Sequence, residues 1–182
     1  MTAPKIYTRG GDVGETSMFS GERVNKSDPS IASVGDFDEL SVALGFARLA
    51  CPKRADILKS VQKNLYQLSA LISYAGDKHD DRYRLDAGEI ETLESTIDEI
   101  QNALPPLTEF IYPGRTEAGC RLHMARAVAR RAERGLTHLP KQKSEAVIPY
   151  INRLSDFLFA LAREADHEGG AGEEGYRGDG KR

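Results

Sequence analysis

The chain has 182 residues, of which 40% are hydrophobic and 29% are charged. This length suits one domain with a full core, and the composition is ordinary for a globular protein. The formal net charge of −3 argues against general nucleic-acid binding. The two cysteines, Cys51 and Cys120, provide neither a disulfide framework nor the CxxC spacing of a metal site.

The N-terminal segment, residues 1–30, is polar and contains four glycines within residues 10–21. It predicts a long loop, with a short strand at residues 5–8, and loops of this length are commonly functional or disordered. Because few apolar residues anchor residues 9–22, we expect the loop to be mobile without a ligand. No apolar targeting segment or run of about 18 apolar residues occurs, so we expect a cytoplasmic protein without a membrane span.

Apolar residues at three- and four-residue spacing predict five helices in the rest of the chain. These helices cover residues 35–50, 54–75, 87–103, 115–138 and 144–166. Strand signals are scarce, so the pattern predicts an all-α fold, a five-helix bundle. We therefore expect a single domain over residues 1–166, with the loop at 1–30 and the bundle at 35–166. Residues 167–182 are glycine-rich and charged, and we expect them to be disordered.

The fourth predicted helix carries Arg126, Arg130 and Arg134 at four-residue spacing, which stacks them on one face. Like charges at this spacing repel by about 0.2–0.5 kcal/mol per pair. Such a face usually meets an anion, either acidic side chains of another helix or subunit or the phosphates of a ligand. The alternative is a solvated face that Glu133 partly neutralises. This segment alone does not decide between the two.

The N-terminal loop contains features that suit a phosphate group. Its closely spaced glycines let backbone N–H groups approach phosphate oxygens, and Thr8, Thr16 and Ser17 add hydroxyls. The loop is not a Walker A motif, because Glu15 precedes Thr16 where a lysine is needed and the glycine spacing differs. Downstream, Arg23 and Lys26 add cations that could close over a triphosphate.

Polar residues also interrupt the fifth predicted helix. Asn152 and Asp156 are four residues apart and lie on one side of the helix. They form either helix surface or a buried hydrogen-bonded pair, or they face the arginines and fix those guanidiniums or position a sugar and a metal. Phe110 precedes the arginine helix, where an aromatic ring either plugs the core or contacts a ligand. Glu164 and His167 form a lone ExxH, whereas a bundle di-iron site needs two, so we expect no protein-bound transition metal.

Four sequence blocks together resemble the PduO-type ATP:cob(I)alamin adenosyltransferases. The blocks are Lys5–Ser17 (KIYTRGGDVGETS), Val34–Leu40 (VGDFDEL), Phe110–Gly114 (FIYPG) leading into His123–Arg134 (HMARAVARRAER), and Tyr150–Phe159 (YINRLSDFLF). The resemblance extends from residue 5 to about residue 165. It implies a homotrimer with active sites between neighbouring subunits. It also implies a reaction, the transfer of the 5′-deoxyadenosyl group of ATP to cob(I)alamin, which yields adenosylcobalamin and triphosphate.

The resemblance also implies roles for individual residues. Catalysis would depend on Arg130, on Asn152 at the nucleotide, and on Asp156, which supports that end of the site. Phe110 would lie beneath the corrin and exclude a lower axial ligand, and Asp38 would pair with the arginine helix across the subunit interface. The residues expected to bind the nucleotide are Thr8, Arg9, Gly10, Gly11, Thr16, Ser17, Lys26, Arg126, Arg130, Arg131, Glu133, Arg134 and Asn152.

The implied substrates are ATP, with Mg²⁺, and cobalamin, whose cobalt is the nucleophile, so no protein nucleophile is needed. The implied partners are a flavin-dependent reductase and an adenosylcobalamin-dependent acceptor enzyme, neither of which the sequence identifies. The loop departs from the usual family pattern at Gly10, which removes a hydroxyl, and at Glu15, which replaces a small polar residue. These departures favour an alternative, a non-catalytic ATP- or cobalamin-binding regulator or carrier on the same fold. A structural helical oligomer is the third interpretation.

Overall fold

The computed structural model describes residues 5–74, 83–86 and 88–176. The elements in chain order are the strands β1 (Glu15–Ser17) and β2 (Arg23–Asn25) and the helices α1 (Pro29–Ala50), α2 (Ala55–Ile72), α3 (Gly88–Ala103), α4 (Glu117–Leu136), α5 (Lys141–Ser144) and α6 (Ile148–Glu168), with a 3₁₀ turn at Pro52–Arg54. The long helices α1, α2, α3, α4 and α6 confirm the predicted all-α bundle. Among the described helices, none is both long and apolar enough to cross a bilayer.

The packing order places α4 at the centre of the bundle. It packs against α1 on one side and α6 on the other, while α2 covers α1 and α3 covers α6. The core contains the fully buried rings of Phe37, Tyr150 and Phe157. The Tyr150 hydroxyl accepts a hydrogen bond from Asn64 Nδ2 at 3.0 Å, and the same amide donates to Glu89 at 2.6 Å. The buried side chains of Asn64 and Tyr150 therefore have hydrogen-bond partners, as burial requires.

Two helix boundaries differ from the prediction because of capping. Helix α1 begins at Pro29 rather than residue 35, since Asp28 Oδ1 accepts a hydrogen bond from Ser30 N at 2.8 Å and proline suits the first turn. Helix α4 begins at Glu117 because the Thr116 hydroxyl accepts from Gly119 N at 3.0 Å. The fifth predicted helix, residues 144–166, corresponds to α6, which begins at Ile148 after the separate short helix α5. Residue 75 of the second predicted helix lies outside the described residues.

The two ends of the chain also differ from the prediction. Residues 5–8 form no strand, whereas β1 and β2 pair as an antiparallel hairpin with Thr16 opposite Val24. At the other end, α6 continues to Glu168, and Gly175 forms an antiparallel bridge with Ile111. The structure thus describes residues 167–176 and places the end of this segment beside the connector before α4, and the expected disorder of residues 167–182 stays a prediction. Residues 177–182 lie outside the described residues.

Candidate active site

The arginine face of α4 is formed by Arg126, Arg130 and Arg134. Arg126 is half-buried, its Nε donates to His123 Nδ1 at 3.4 Å, and its guanidinium lies 6.0 Å from the ring centroid of Phe159. Burial, and secondarily the charge of Arg130, lower the pKa of Arg126. Arg130 is exposed, and Arg134 donates to the Arg130 carbonyl at 2.9 Å. Partial desolvation and repulsion among these cations favour binding of an anion at this face.

Arg131 belongs to a different face of α4, because successive helical residues are about 100° apart. It forms ion pairs with two acids of α1, Asp36 at 3.4 Å and Glu39. The hydrogen bond from Arg131 lowers the pKa of Glu39. Asp38, the residue expected to pair across an interface, is exposed. Asp36 and Glu39 therefore neutralise Arg131 within the chain, and neither acid was identified as a partner from sequence.

The side chains of Asn152 and Asp156 contact different partners, although their four-residue spacing predicts that both point to the same side of α6. Asn152 Nδ2 donates to Glu133 Oε1 at 2.9 Å, so this residue joins α6 to the arginine helix. Asp156 instead accepts from Arg153 at 3.0 Å, and Arg153 also donates to Glu94 of α3 at 2.9 Å. The structure thus brings Glu133 and Asn152 together beside the arginine face, and it directs Asp156 towards Arg153 rather than towards α4.

Arg23 organises the N-terminal loop. Its Nη2 donates to the Gly10 carbonyl at 2.8 Å and pairs with Glu15 at 3.4 Å, while Nη1 donates to Ser17 Oγ at 3.4 Å. Glu15, the acidic residue that departs from the usual family pattern, is therefore neutralised by a cation of the same loop. Lys26 is close to Gly11, where an added Cβ would lie 3.2 Å from the lysine Nζ. A larger residue at Gly11 would displace that ammonium group.

Arg9 and Gly10 lie at the open end of the same loop. Arg9 has a φ of 61°, a left-handed conformation that is uncommon outside glycine, and Gly10 N donates to Thr8 Oγ1 at 3.4 Å. Thr16 is half-buried on β1. Within the part of the chain that the structure describes, no hydrogen bond or ion pair joins Thr8–Lys26 to the α4 arginines.

Phe110 is on the connector between α3 and α4. Its side chain is 84% exposed, so within this chain it does not plug the core. The connector ends at Gly114, whose φ is +86° and where a Cβ would lie 2.4 Å from Cys120 Sγ. Only glycine fits this turn without displacement of the neighbouring helix. An exposed aromatic ring on a tightly turned connector is a candidate contact for an apolar ligand surface.

Asp166 holds the start of the arginine helix, a role that the sequence motifs do not predict. It is only 4% exposed and accepts hydrogen bonds from Thr116 N and Thr116 Oγ1, both at 2.8 Å, and from Arg115 N at 3.2 Å. These bonds fix the start of α4 and the connector before it. A sequence signal exists, because Leu158, Ala162 and Asp166 continue one four-residue stripe, which places the acid on the buried face.

Comparisons with known proteins agree with this fold. A sequence profile for cobalamin adenosyltransferases matches residues 6–165. The chain is 43% identical over 169 residues to the corrinoid adenosyltransferase PduO of Citrobacter freundii, covering 90% of this chain and 50% of that protein. It is 40% identical over 183 residues to the human corrinoid adenosyltransferase MMAB, and the match covers 95% of this chain and 73% of that protein. A Bacillus subtilis corrinoid adenosyltransferase is 34% identical, and the match covers 94% of this chain and 92% of that protein.

The chain therefore spans about half the length of the PduO relatives that it matches. Among solved structures, a variant PduO-type ATP:corrinoid adenosyltransferase from Lactobacillus reuteri, complexed with cobalamin and ATP, has a TM-score of 0.86 at 30% identity, covering 95% of this chain and 97% of that one. Another variant of that enzyme, complexed with ATP, has a TM-score of 0.84 at 29% identity and covers 94% and 100%. The profile match, the relatives and the helical fold agree, and the chain belongs to the cobalamin adenosyltransferase family.

Proposed function

We propose that this protein transfers the 5′-deoxyadenosyl group of ATP to cob(I)alamin and releases adenosylcobalamin and triphosphate. The observation that carries the proposal is the arginine face of α4, where exposed Arg130 and partly desolvated Arg126 lie beside the Glu133–Asn152 contact. Supporting it, relatives at 34–43% identity are named corrinoid adenosyltransferases, and the solved relative is complexed with cobalamin and ATP. We also propose that the reaction occurs in the cytoplasm.

The chemistry requires stabilisation of a multiply charged leaving group. The cobalt of the substrate supplies the electron pair that forms the Co–C5′ bond, and the C5′–O bond breaks to release triphosphate. The backbone amides around Gly10 and Gly11, the ammonium of Lys26 and the guanidinium of Arg130 would stabilise the negative charge that develops on the leaving oxygen. Asn152 and Glu133 would hold the nucleoside end, so that C5′ is directed towards the cobalt.

We propose that Mg²⁺ enters the site with ATP. The hydroxyl oxygens of Thr16 and Ser17 on β1 are hard donors of the kind that Mg²⁺ accepts, alongside phosphate oxygens. When bound, Mg²⁺ would neutralise part of the triphosphate charge. The described residues contain no group of three His, Cys, Asp or Glu side chains suited to a metal. Substrate phosphates and water would supply the remaining ligands.

Phe110 is proposed to form an apolar surface beneath the corrin. Its exposed ring has the area and polarity to exclude water or another axial ligand from the lower face of cobalt. Loss of that ligand makes Co(II) easier to reduce to the nucleophilic Co(I) state. A flavin-dependent reductase would supply the electron, and an adenosylcobalamin-dependent enzyme would accept the product.

We propose that the protein is a homotrimer with active sites between subunits. An apolar groove of about 460 Å³ lies between α1 and α4 and is lined in part by Val42, Phe46 and Met124, all more than half exposed. Burial of these side chains would stabilise an interface. Contact at this face would also allow the N-terminal loop of one subunit to approach α4 of its neighbour, with Asp38 pairing across the boundary.

Two substitutions test the site and the reaction together. Arg130→Ala and Asn152→Ala should each reduce anaerobic turnover of reduced cobalamin and Mg-ATP by about 10²-fold, the typical cost of removing a group that stabilises the transition state. Both side chains are exposed, so the midpoint of thermal unfolding should change little. Lys141→Ala, an exposed change on α5, is the matched control and should retain full activity. Near-full turnover in both site variants would contradict the assignment.

The alternatives predict different results from the wild-type protein. ATP at 100 times its Kd should raise the free energy of unfolding by about 2.7 kcal/mol. If that stabilisation occurs under strong reductant without formation of a Co–C bond, the protein is a regulator or carrier, the interpretation that Gly10 and Glu15 favour. If ATP does not stabilise the protein, the arginine face has only a structural role.

A further inference from the structure

The C-terminal segment Glu173–Tyr176 lies against the connector that carries Phe110. Tyr112 N donates to the Glu174 carbonyl at 2.8 Å, and Tyr176 N donates to the Phe110 carbonyl at 2.5 Å. Between these bonds, Ile111 and Gly175 form the antiparallel bridge. The main chain at Phe110 is therefore hydrogen-bonded to the last residue that the structure describes. The connector would otherwise be an exposed loop with few partners.

Side chains reinforce this pairing at both ends of the connector. The rings of Tyr112 and Tyr176 meet edge-on with centroids 5.6 Å apart. Arg115 pairs with Glu174 just before α4. At the other end, the Arg163 side chain, 5% exposed, pairs with Glu173 and donates to the Pro105 carbonyl at 2.8 Å. One buried cation thus links the C-terminal segment to the start of the connector.

The link between α6 and this segment is conformationally permissive. Gly170 has a φ of +70°, and an added Cβ at Gly170 or Gly172 would meet nothing within 4 Å. Glycine-rich backbone has high conformational freedom and does not itself hold a neighbouring segment in place. Hydrogen bonds from Gly170 N to the His167 carbonyl and from Ala171 N to the Asp166 carbonyl, both of 3.0 Å, fix the link as far as Ala171. Beyond Ala171, the contacts of Glu173–Tyr176 with the connector determine where this segment lies.

We infer that Glu173–Tyr176 is a positioning segment for the corrinoid. It fixes the main chain of Phe110, and with it the direction of an exposed ring that has no packing of its own in the core. Tyr176 is then a positioning residue that acts through Phe110. The inference rests on the proposed function, because it assigns the held ring to the corrinoid rather than to ATP. Loosening the segment should accordingly weaken corrinoid binding and leave ATP binding unchanged.

Three substitutions at one position separate the backbone bond from the ring. Tyr176→Pro removes both the N–H that bonds to Phe110 and the aromatic ring, Tyr176→Ala removes only the ring, and Tyr176→Phe keeps both. Hydrogen exchange of residues 107–115 in the ligand-free protein reports the pairing directly. Tyr176→Pro should accelerate exchange of the Tyr112 amide by about tenfold or more, with a smaller effect in Tyr176→Ala and wild-type behaviour in Tyr176→Phe.

The kinetic readout is the KM for reduced cobalamin measured beside the KM for ATP. In Tyr176→Pro the corrinoid KM should rise about tenfold while the ATP KM stays within about twofold, the pattern of a lost binding contribution on one substrate only. Unchanged exchange in Tyr176→Pro would overturn the inference, as would faster exchange with an unchanged corrinoid KM or a parallel rise of both KM values. Wild-type protein without turnover would overturn the proposed function, and the corrinoid role of the segment with it. The exchange result is independent of substrate, so the two failures are distinguishable.

Discussion

At the residue scale, the contact between Gly119 and Asp166 leaves no room for a side chain. A Cβ on Gly119 would lie 2.1 Å from Asp166 Oδ1, and that carboxylate is buried and hydrogen-bonded to Thr116. Gly119→Ala should therefore lower the free energy of unfolding by about 1–3 kcal/mol, measured by urea denaturation at a fixed protein concentration.

Gly35→Ala is the matched control for this change. Gly35 is an exposed residue inside α1, and nothing lies within 4 Å of its added Cβ. Because alanine is the better helix former, this variant should be more stable than the wild type by up to about 1 kcal/mol. Equal stability of Gly119→Ala and the wild-type protein would contradict the close approach of Asp166.

His123 should make stability depend on pH. It is buried, and its Nε2 has no hydrogen-bond partner among the described residues. Burial and then the charge of Arg126 lower its pKa, while Asp166 opposes them. The unfolded state, with a histidine pKa of about 6.5, therefore binds more protons than the native state on acidification. The contribution of His123 to the free energy of unfolding should be greatest above a pH of about 6.5. It should decrease as the pH falls below 6.5, by at most about 1.4 kcal/mol per pH unit.

The measurement is urea unfolding at pH 7.5 and pH 5.5, done with the wild type and with His123→Gln. Glutamine does not titrate, so the loss of stability between the two pH values should be smaller in the variant. An equal loss in both proteins would assign the pH dependence to other groups.

Single-residue roles were only partly predictable from sequence. The spacing of Arg126, Arg130 and Arg134 correctly predicted a shared face of one helix. The pairing of Arg131 with Asp36 and Glu39 was not predictable, because it depends on which helix packs beside α4. Asp156 shows the same limit, since the side chain follows a tertiary network that includes Glu94 and not the helical spacing alone.

At the element scale, the start of α1 depends on one capping carboxylate. Asp28 Oδ1 accepts from Ser30 N, which satisfies one of the free amides of the first turn. Asp28→Ala should reduce the free energy of unfolding by about 1 kcal/mol, within the range of about 0.5–2 kcal/mol for N-cap removal. Urea denaturation checks this value.

Ser27→Ala is the control, because Ser27 Oγ bonds only locally to Asn25 Oδ1 at 2.7 Å on an exposed turn. That variant should remain within about 0.5 kcal/mol of the wild type. A smaller loss in Asp28→Ala than in Ser27→Ala would mean that Asp28 does not determine the start of the helix.

The long helices were the most predictable elements, because each carries an apolar stripe that becomes buried. The stripe of α6, including Ile151, Leu154 and Leu158, is buried as the spacing predicts. The hairpin of β1 and β2 was missed because strands of three residues are too short to show alternation. The placement of Glu173–Tyr176 was also missed, since its partners are about 60 residues away in sequence and its glycine content resembles that of disordered tails.

At the scale of the whole molecule, we propose an active site that two subunits complete. Lys26→Ala should impair the part of the site formed by the loop, and Arg130→Ala the part formed by α4. Proposed homotrimers of either variant alone should therefore have turnover reduced by about 10²-fold. Mixed trimers made by co-expression should regain activity, because a subunit with an intact loop can contact a subunit with an intact α4. With random mixing of equal amounts, about a quarter of the sites would be complete.

The readout is turnover of affinity-purified mixed trimers that carry a different tag on each variant. Mixing the two purified homotrimers without subunit exchange is the control and should give no recovery. If mixed trimers stay inactive, although each variant binds its neighbours, the loop and the α4 arginines act within the same subunit. The family resemblance is the source of this expectation, because residue order along a chain does not itself show which subunit supplies each part of a site.

The most direct test of the central claim is an anaerobic assay of the wild-type protein with Mg-ATP and chemically reduced cobalamin. We expect decay of the cob(I)alamin absorbance, a light-sensitive adenosylcobalamin product, and release of one triphosphate for each Co–C bond formed. Binding of ATP without a Co–C bond, or release of phosphate products without adenosylcobalamin, would contradict it.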